Sequence, residues 1–208
     1  MDSTIVTSET LDELAGEAGI KDKISAITER AMRGELDFFE AIRERVGLLK
    51  GLPDAALKRT LDATEISKGA QTLIKTMNRH KATCVLVSGG FTCFTEHIAN
   101  QLGFHANHGN TLGIKDNALT GEVIDPILGK EAKLKLLNDY TQKLNINLSD
   151  TVAIGDGAND LPMLAAAGLG VGYHPKPLLE ESLINCIRHT DLTSLLYAQG
   201  YKEEEIAL

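Results

Sequence analysis

The segment Val152-Ala153-Ile154-Gly155-Asp156-Gly157-Ala158-Asn159-Asp160 constrains the fold most. The apolar run reads as a buried strand, the glycines around Asp156 end it, and Leu161, Met163 and Leu164 then follow a helical pattern. A buried strand that ends in carboxylates and an amide at the mouth of a helix belongs to a parallel α/β sheet. The carboxyl ends of such strands are where these sheets hold ligands, phosphate among them. Asp156 is the position for a hard cation such as Mg²⁺, which prefers oxygen ligands and phosphate partners. The plainer alternative is a Gly-Asp-Gly turn with Asn or Asp capping the helix. Two further phosphate-site candidates upstream weigh toward a site.

The rest of the chain divides in two. Leu11 to about Met32 reads as helix interrupted at Gly19, with Leu14, Ala18, Ile24, Ile27 and Ala31 on one face. Phe38, Phe39, Ile42, Val46 and Leu49 form a second apolar face, ended by Gly51-Leu52-Pro53, and Asp54 is placed to cap a third helix through Leu61. Then the pattern changes to helix (Ala70 to His80), strand (Thr83 to Val87), and a Ser88-Gly89-Gly90 turn into a helix with Phe94, Ile98 and Leu102. A hairpin around Lys115-Asp116-Asn117 joins Asn110–Ile114 to Ala118–Ile124. Helix 130–144, strand 151–154, helix 160–167, strand 169–173 and a last helix 176–185 complete the order. Alternation from residue 70 onward predicts an α/β fold with a doubly wound, mostly parallel sheet. The predicted organisation is a core domain of residues 1–11 and 66–208, with an inserted helical cap at 12–65 over the sheet's carboxyl edge.

The 208 residues carry a formal charge of −8, which argues against nucleic acid or an anionic membrane as a main partner. No apolar run has the length of a transmembrane helix. The three cysteines lack metal-ligand spacing and suit a reduced, cytoplasmic setting. Oligomeric state stays open, a homodimer included.

Polar residues stand at two more predicted strand ends. Asp2-Ser3-Thr4 sets a carboxylate beside two hydroxyls, able to position a proton donor and hold phosphate oxygens; a helix cap or loose terminus is its bland counterpart. Val87-Ser88-Gly89-Gly90-Phe91 presents a hydroxyl and free backbone N–H groups to an anion, or makes an ordinary strand-to-helix turn. A lysine of the next helix would neutralise a phosphoryl group, but Lys130, Lys133 and Lys135 are indistinguishable by spacing. His105 and His108 lack further zinc ligands, and Cys93 has no evident histidine partner.

In this order, Asp2-Ser3-Thr4-Ile5-Val6, Ser88-Gly89-Gly90-Phe91, Lys133 and Gly155-Asp156-Gly157-Ala158-Asn159-Asp160 resemble the four motifs of the haloacid dehalogenase superfamily of phosphotransferases. The resemblance covers nearly the whole chain and is greatest toward the phosphoserine phosphatase branch. It implies Mg²⁺-dependent hydrolysis of O-phosphoserine to serine and phosphate through an aspartyl-phosphate. It makes Asp2 the general acid/base and, by its carbonyl, a Mg²⁺ ligand; Asp156 the side-chain Mg²⁺ ligand; and Asp160 a support behind it. It assigns Ser88, Gly89 and Lys133 to the phosphoryl group and Asn159 to substrate orientation. Glu9 and Arg45 would take the ammonium and carboxylate of the substrate. The resemblance also places the attacking aspartate two residues before Asp2, at the end of a strand between those at 83–87 and 151–154. The expectation is therefore an N-terminally incomplete chain with that central strand missing, a gap in the sheet, and little or no activity by itself. The other readings are a phosphate-binding protein without catalysis, or a phosphatase or phosphotransferase for another small phosphomonoester.

Overall fold

The computed structural model of the protein describes residues 1–32 and 35–207. Four helices come first: α1 (Thr10–Glu17), α2 (Lys21–Met32), α3 (Phe38–Gly47) and α4 (Ala55–Ala63). The stretch from Leu11 to Met32 is two helices, parted at Gly19 with φ +67°, a conformation that a Cβ disfavours. A full capping box opens α3: Asp37 accepts from the Glu40 N–H at 2.7 Å, and Glu40 accepts from the Asp37 N–H at 2.9 Å. Asp54 does not cap α4 as expected. Its backbone is already helical (φ −60°, ψ −24°), whereas a capping carboxylate needs an extended backbone to reach the first turn.

The alternating region runs α5 (Ala70–Arg79), β1 (Val85–Phe91), α6 (Thr92–Leu102), β2 (Ala106–Lys115), β3 (Ala118–Ile124) and α7 (Lys130–Leu144). It continues β4 (Val152–Gly155), α8 (Leu161–Ala166), β5 (Leu169–Tyr173), α9 (Pro177–Ser182), β6 (Cys186–Ile187) and α10 (Ser194–Ala198). β1 pairs with β2 in parallel and β2 with β3 antiparallel, while β4, β5 and β6 form a second, fully parallel sheet. The hairpin turns on Asp116 and Asn117, both at positive φ (52° and 58°), the twist a two-residue hairpin loop favours. Among the described residues, no helix is long and apolar enough to cross a membrane.

Three local expectations change. Ser88-Gly89-Gly90 is not a turn but the irregular end of β1, which shifts its register against β2 between Val87 and Phe91. β2 starts at Ala106 rather than Asn110, because its first half pairs with β1 before its second half enters the hairpin. The last predicted helix stops at Ser182, and the chain after it forms β6 and α10, elements too short to leave a periodic pattern.

Among the described residues no bridge joins β1 to β4, and the strands form two three-stranded sheets. The segment beside the division is a tight turn. The Met1 carbonyl accepts from the N–H groups of Thr4, Ile5 and Val6 at 3.2, 2.7 and 3.2 Å, and Val6 bridges Ile66. Met1, Ile5 and Val6 share one buried core with Leu86 and Phe91 of the first sheet and Val171 and Tyr173 of the second. The halves are thus held by side-chain burial rather than by a ladder.

β5 lies so close to α8 that a Cβ on Gly170 would meet the Leu164 carbonyl oxygen at 2.0 Å. Backbone cannot yield as a side chain does. Gly170→Ala should lower stability by about 3 kcal/mol, the upper part of the overpacking range, read from urea unfolding; an unchanged midpoint would contradict this contact.

Candidate active site

The site is assembled from strand ends. β4 ends at Gly155, and the next residues are fixed by Asp160, whose side chain is 3% exposed. One Asp160 oxygen accepts from the N–H groups of Asp156 and Gly157, both at 3.2 Å; the other accepts from Lys133 Nζ of α7 in a buried ion pair. Gly155 makes room for this: a Cβ there would lie 2.3 Å from Asp160 Cγ. Asp160 therefore faces inward and ties the loop, while Asp156 lines the cavity.

At the end of β1, buried Ser88 accepts from the Gly90 N–H at 2.9 Å and donates to Asp2 Oδ2 at 3.4 Å. Asp2 Oδ1 also accepts from the Thr10 N–H at 3.3 Å. Burial pushes the Asp2 carboxyl above its ordinary range, so it holds a proton more readily than a free aspartate. The hydroxyls of Ser3 and Thr4 are spent on protein carboxylates rather than left open: Ser3 donates to Glu9 Oε1 at 2.8 Å and Thr4 to Asp156 Oδ1 at 3.4 Å.

From the helical block, α3 contributes Phe38, Ile42 and Arg45 to the cavity wall. Arg45 Nε donates to the Ala41 carbonyl at 3.2 Å. Burial pulls its guanidinium down, and the acids Asp12 and Glu9 oppose that.

One cavity collects Asp2, Glu9, Arg45, Ser88, Gly89, Lys133, Asp156 and Asn159. Asp160 lies behind it. The three candidate lysines also separate. Lys133 is buried at the site, whereas Lys130 and Lys135 are solvent-facing partners of Glu131 and Asp139. His105 accepts from the Cys84 N–H at 3.1 Å, and His108 contacts the Tyr140 hydroxyl at 3.0 Å. Burial pushes the Cys84 and Cys93 thiols up to about 11, which keeps them unreactive.

Sequence reasoning missed two residues here. Lys176 Nζ lies 3.0 Å from Asp156 Oδ2 and 3.5 Å from Glu9 Oε1. It follows the end of β5, so its signal was the strand-end rule that selected the others. Buried Asn110 donates to the Gly89 carbonyl at 2.8 Å and accepts from the Leu128 N–H at 2.7 Å, fixing the end of β1 to the approach of α7. No pattern marked it.

Among the described residues no group of three or more His, Cys, Asp or Glu could hold a metal alone. Asp2 and Asp156 offer oxygen donors at one wall. That set suits a hard cation completed by water and phosphate oxygens better than zinc, which wants nitrogen and sulfur.

Carboxylates from the N-terminal turn and the end of β4, the Ser88 hydroxyl of β1 and Lys133 of α7 thus meet in one cavity of an α/β fold, against the wall of α3. The family model described as haloacid dehalogenase-like hydrolase matches residues 1–165, and the chain belongs to that family. It is similar to the phosphoserine phosphatase SerB2 of Mycobacterium tuberculosis, 41% identical over 206 residues, 99% of this chain and 50% of the relative. It is also similar to the phosphoserine phosphatase of Methanocaldococcus jannaschii, 40% identical over 94% of this chain and 92% of the relative. The chain thus spans half the length of the first of these and nearly all of the second. A solved phospho-aspartyl intermediate analogue of phosphoserine phosphatase superposes with a TM-score of 0.88, at 39% identity and 95% coverage of both chains. A substrate-bound phosphoserine phosphatase complex matches with the same TM-score of 0.88 and 39% identity, over 95% of this chain and 94% of that one.

Proposed function

We propose that this site hydrolyses O-phosphoserine to serine and phosphate with Mg²⁺ bound. The observation that carries the reading is the cavity itself, with Asp2, Ser88, Lys133 and Asp156 on one side and Glu9 and Arg45 within reach of the same ligand. The names of the similar proteins support it. The helices at 12–65 are read as a cap over a core of 1–11 and 66–208, which makes Arg45 a residue the cap lends to the core's chemistry. Three free cysteines support a cytoplasmic setting.

In this reading Ser88 Oγ, the Gly89 backbone and Lys133 bind the phosphoryl oxygens, and Asn159 orients the substrate. Arg45 forks onto the substrate carboxylate, and Glu9 takes its ammonium. Asp2, whose carboxyl burial shifts toward holding a proton, gives a proton to the leaving serine oxygen and then accepts one from water. Asp156 and the Asp2 carbonyl would hold Mg²⁺, which screens repulsion between an attacking carboxylate and the anionic substrate. The family motif sets its attacking carboxylate two positions ahead of the residue that Asp2 matches, and this reading assigns that role to no residue of 1–208. The decisive experiment assays phosphoserine hydrolysis by residues 1–208 and by the same chain preceded by an apolar strand ending in Asp-x. Turnover is expected in the extended chain, with residues 1–208 at least about 10³-fold slower, as for loss of a catalytic nucleophile. Equal rates would overturn this part of the proposal.

Substrate choice has its own test. Arg45→Ala should lower kcat/KM for phosphoserine by about 10²-fold, the cost of removing one partner of a charge pair, and leave a small aryl phosphate within about 3-fold. Equal loss on both would point to another phosphomonoester. One observation favours the non-catalytic reading for residues 1–208: the two sheets do not join. Phosphate binding by residues 1–208 without detectable turnover would establish it.

A further inference from the structure

We propose that Lys176 is a built-in cation at the metal position. Its ammonium clasps Asp156 and Glu9, and it must leave Asp156 before a divalent cation binds there. The inference rests on the reading of Asp156 as a metal ligand.

The geometry is that of one charge shared by two acids, at 3.0 Å from Asp156 Oδ2 and 3.5 Å from Glu9 Oε1. The root of the side chain is pinned, because the Lys176 N–H donates to the Asp156 carbonyl at 2.8 Å and Pro177 starts α9 directly after it. The tip is not pinned. The Lys176 side chain is 57% exposed and that of Asp156 14% exposed, so a flexible four-carbon stem can swing into water while the carboxylate stays. Lys133 is the contrast: at 10% exposure, paired with an Asp160 side chain at 3%, it is a fixed structural cation. The two lysines of the cavity thus hold the two aspartates of one loop in different ways.

Two consequences follow. A metal ion competes with Lys176, so its apparent affinity is the intrinsic affinity multiplied by the fraction of molecules in which the lysine is away. Glu9 is released by the same movement, keeping Ser3 Oγ at 2.8 Å as its remaining partner. Loading the cation therefore frees the acid that is read as binding the substrate ammonium.

Calorimetric titration of Mg²⁺ into chelator-stripped protein, without substrate, tests this. Lys176→Gln should bind Mg²⁺ about 5-fold tighter than the parent, the upper end of a partly exposed ion pair. Lys58→Gln, which removes the same charge from an exposed α4 pair with Asp62, should stay within about 2-fold, since distant charges are screened. Asp156→Asn should abolish binding. If Asp156→Asn abolishes binding but Lys176→Gln leaves it unchanged or weaker, the proposal fails and the metal site stands. If binding survives Asp156→Asn, or no variant binds, the metal reading itself fails and takes the proposal with it. Thermal melting in chelator checks that Lys176→Gln is folded; Lys176→Met, which keeps the apolar stem, replaces it in the titration if it is not.

Discussion

Asp160→Ala is expected to lower the unfolding free energy by about 3–5 kcal/mol, the cost of breaking a buried ion pair from one side. Asp160 accepts from the Asp156 and Gly157 N–H groups and is the partner of Lys133 Nζ. Removing it leaves a lysine side chain of 10% exposure uncompensated and two loop N–H groups without their carboxylate. Asp160→Asn keeps an acceptor but not the charge and should cost less. The double variant Lys133→Met with Asp160→Asn should cost less than the two single changes added, because each single change strands a partner that the double change removes. Equilibrium urea unfolding measures all of these. A loss below about 1 kcal/mol for Asp160→Ala, the level of a surface pair, would show that the pair does not hold the loop.

Asp156→Asn should behave in the opposite way. We expect phosphoserine turnover to fall by about 10³-fold, the scale of removing one preorganised electrostatic group. Stability should stay the same or rise slightly. Among the described residues the Asp156 carboxylate accepts the 3.4 Å contact from Thr4 and the ammonium of half-exposed Lys176, which returns to water without much loss. Its charge faces the cavity near Asp2 and Glu9, acids that repel it when no cation is bound. A residue kept at some cost to the fold and needed for turnover marks a functional position. Near-full activity with a large drop in melting temperature would reassign Asp156 to the scaffold. The pair of results distinguishes two aspartates four residues apart in one loop: one anchors, the other acts.

Much of this architecture was legible along the chain. The switch from purely helical periodicity to alternating strand and helix at residue 70 predicted the doubly wound core, and β5 and α7 carry their predicted bounds. Strand ends with polar residues pointed to Asp2, Ser88 and Asp156, which share one cavity. Errors fell where a tertiary partner overrides local preference. Ser88-Gly89-Gly90 looked like a turn and is strand, because β2 pairs alongside. Asp54 looked like a cap and is not one, because the chain enters α4 already helical.

The sequence by itself determined the class of fold, the order of its elements and which polar residues stand ready to line one cavity, since periodicity and turn chemistry are local and act within a few residues. Only the tertiary structure decided which lysine of α7 is buried, that Asp160 rather than Asp156 is its partner, and that Lys176 reaches across to Asp156 and Glu9. It also decided that the two halves of the sheet share a core without sharing a ladder. These are pairings across 27 and 167 positions of chain, or between whole sheets. Their choice depends on burial and on which backbone groups already have partners, and neither quantity exists until the chain has packed.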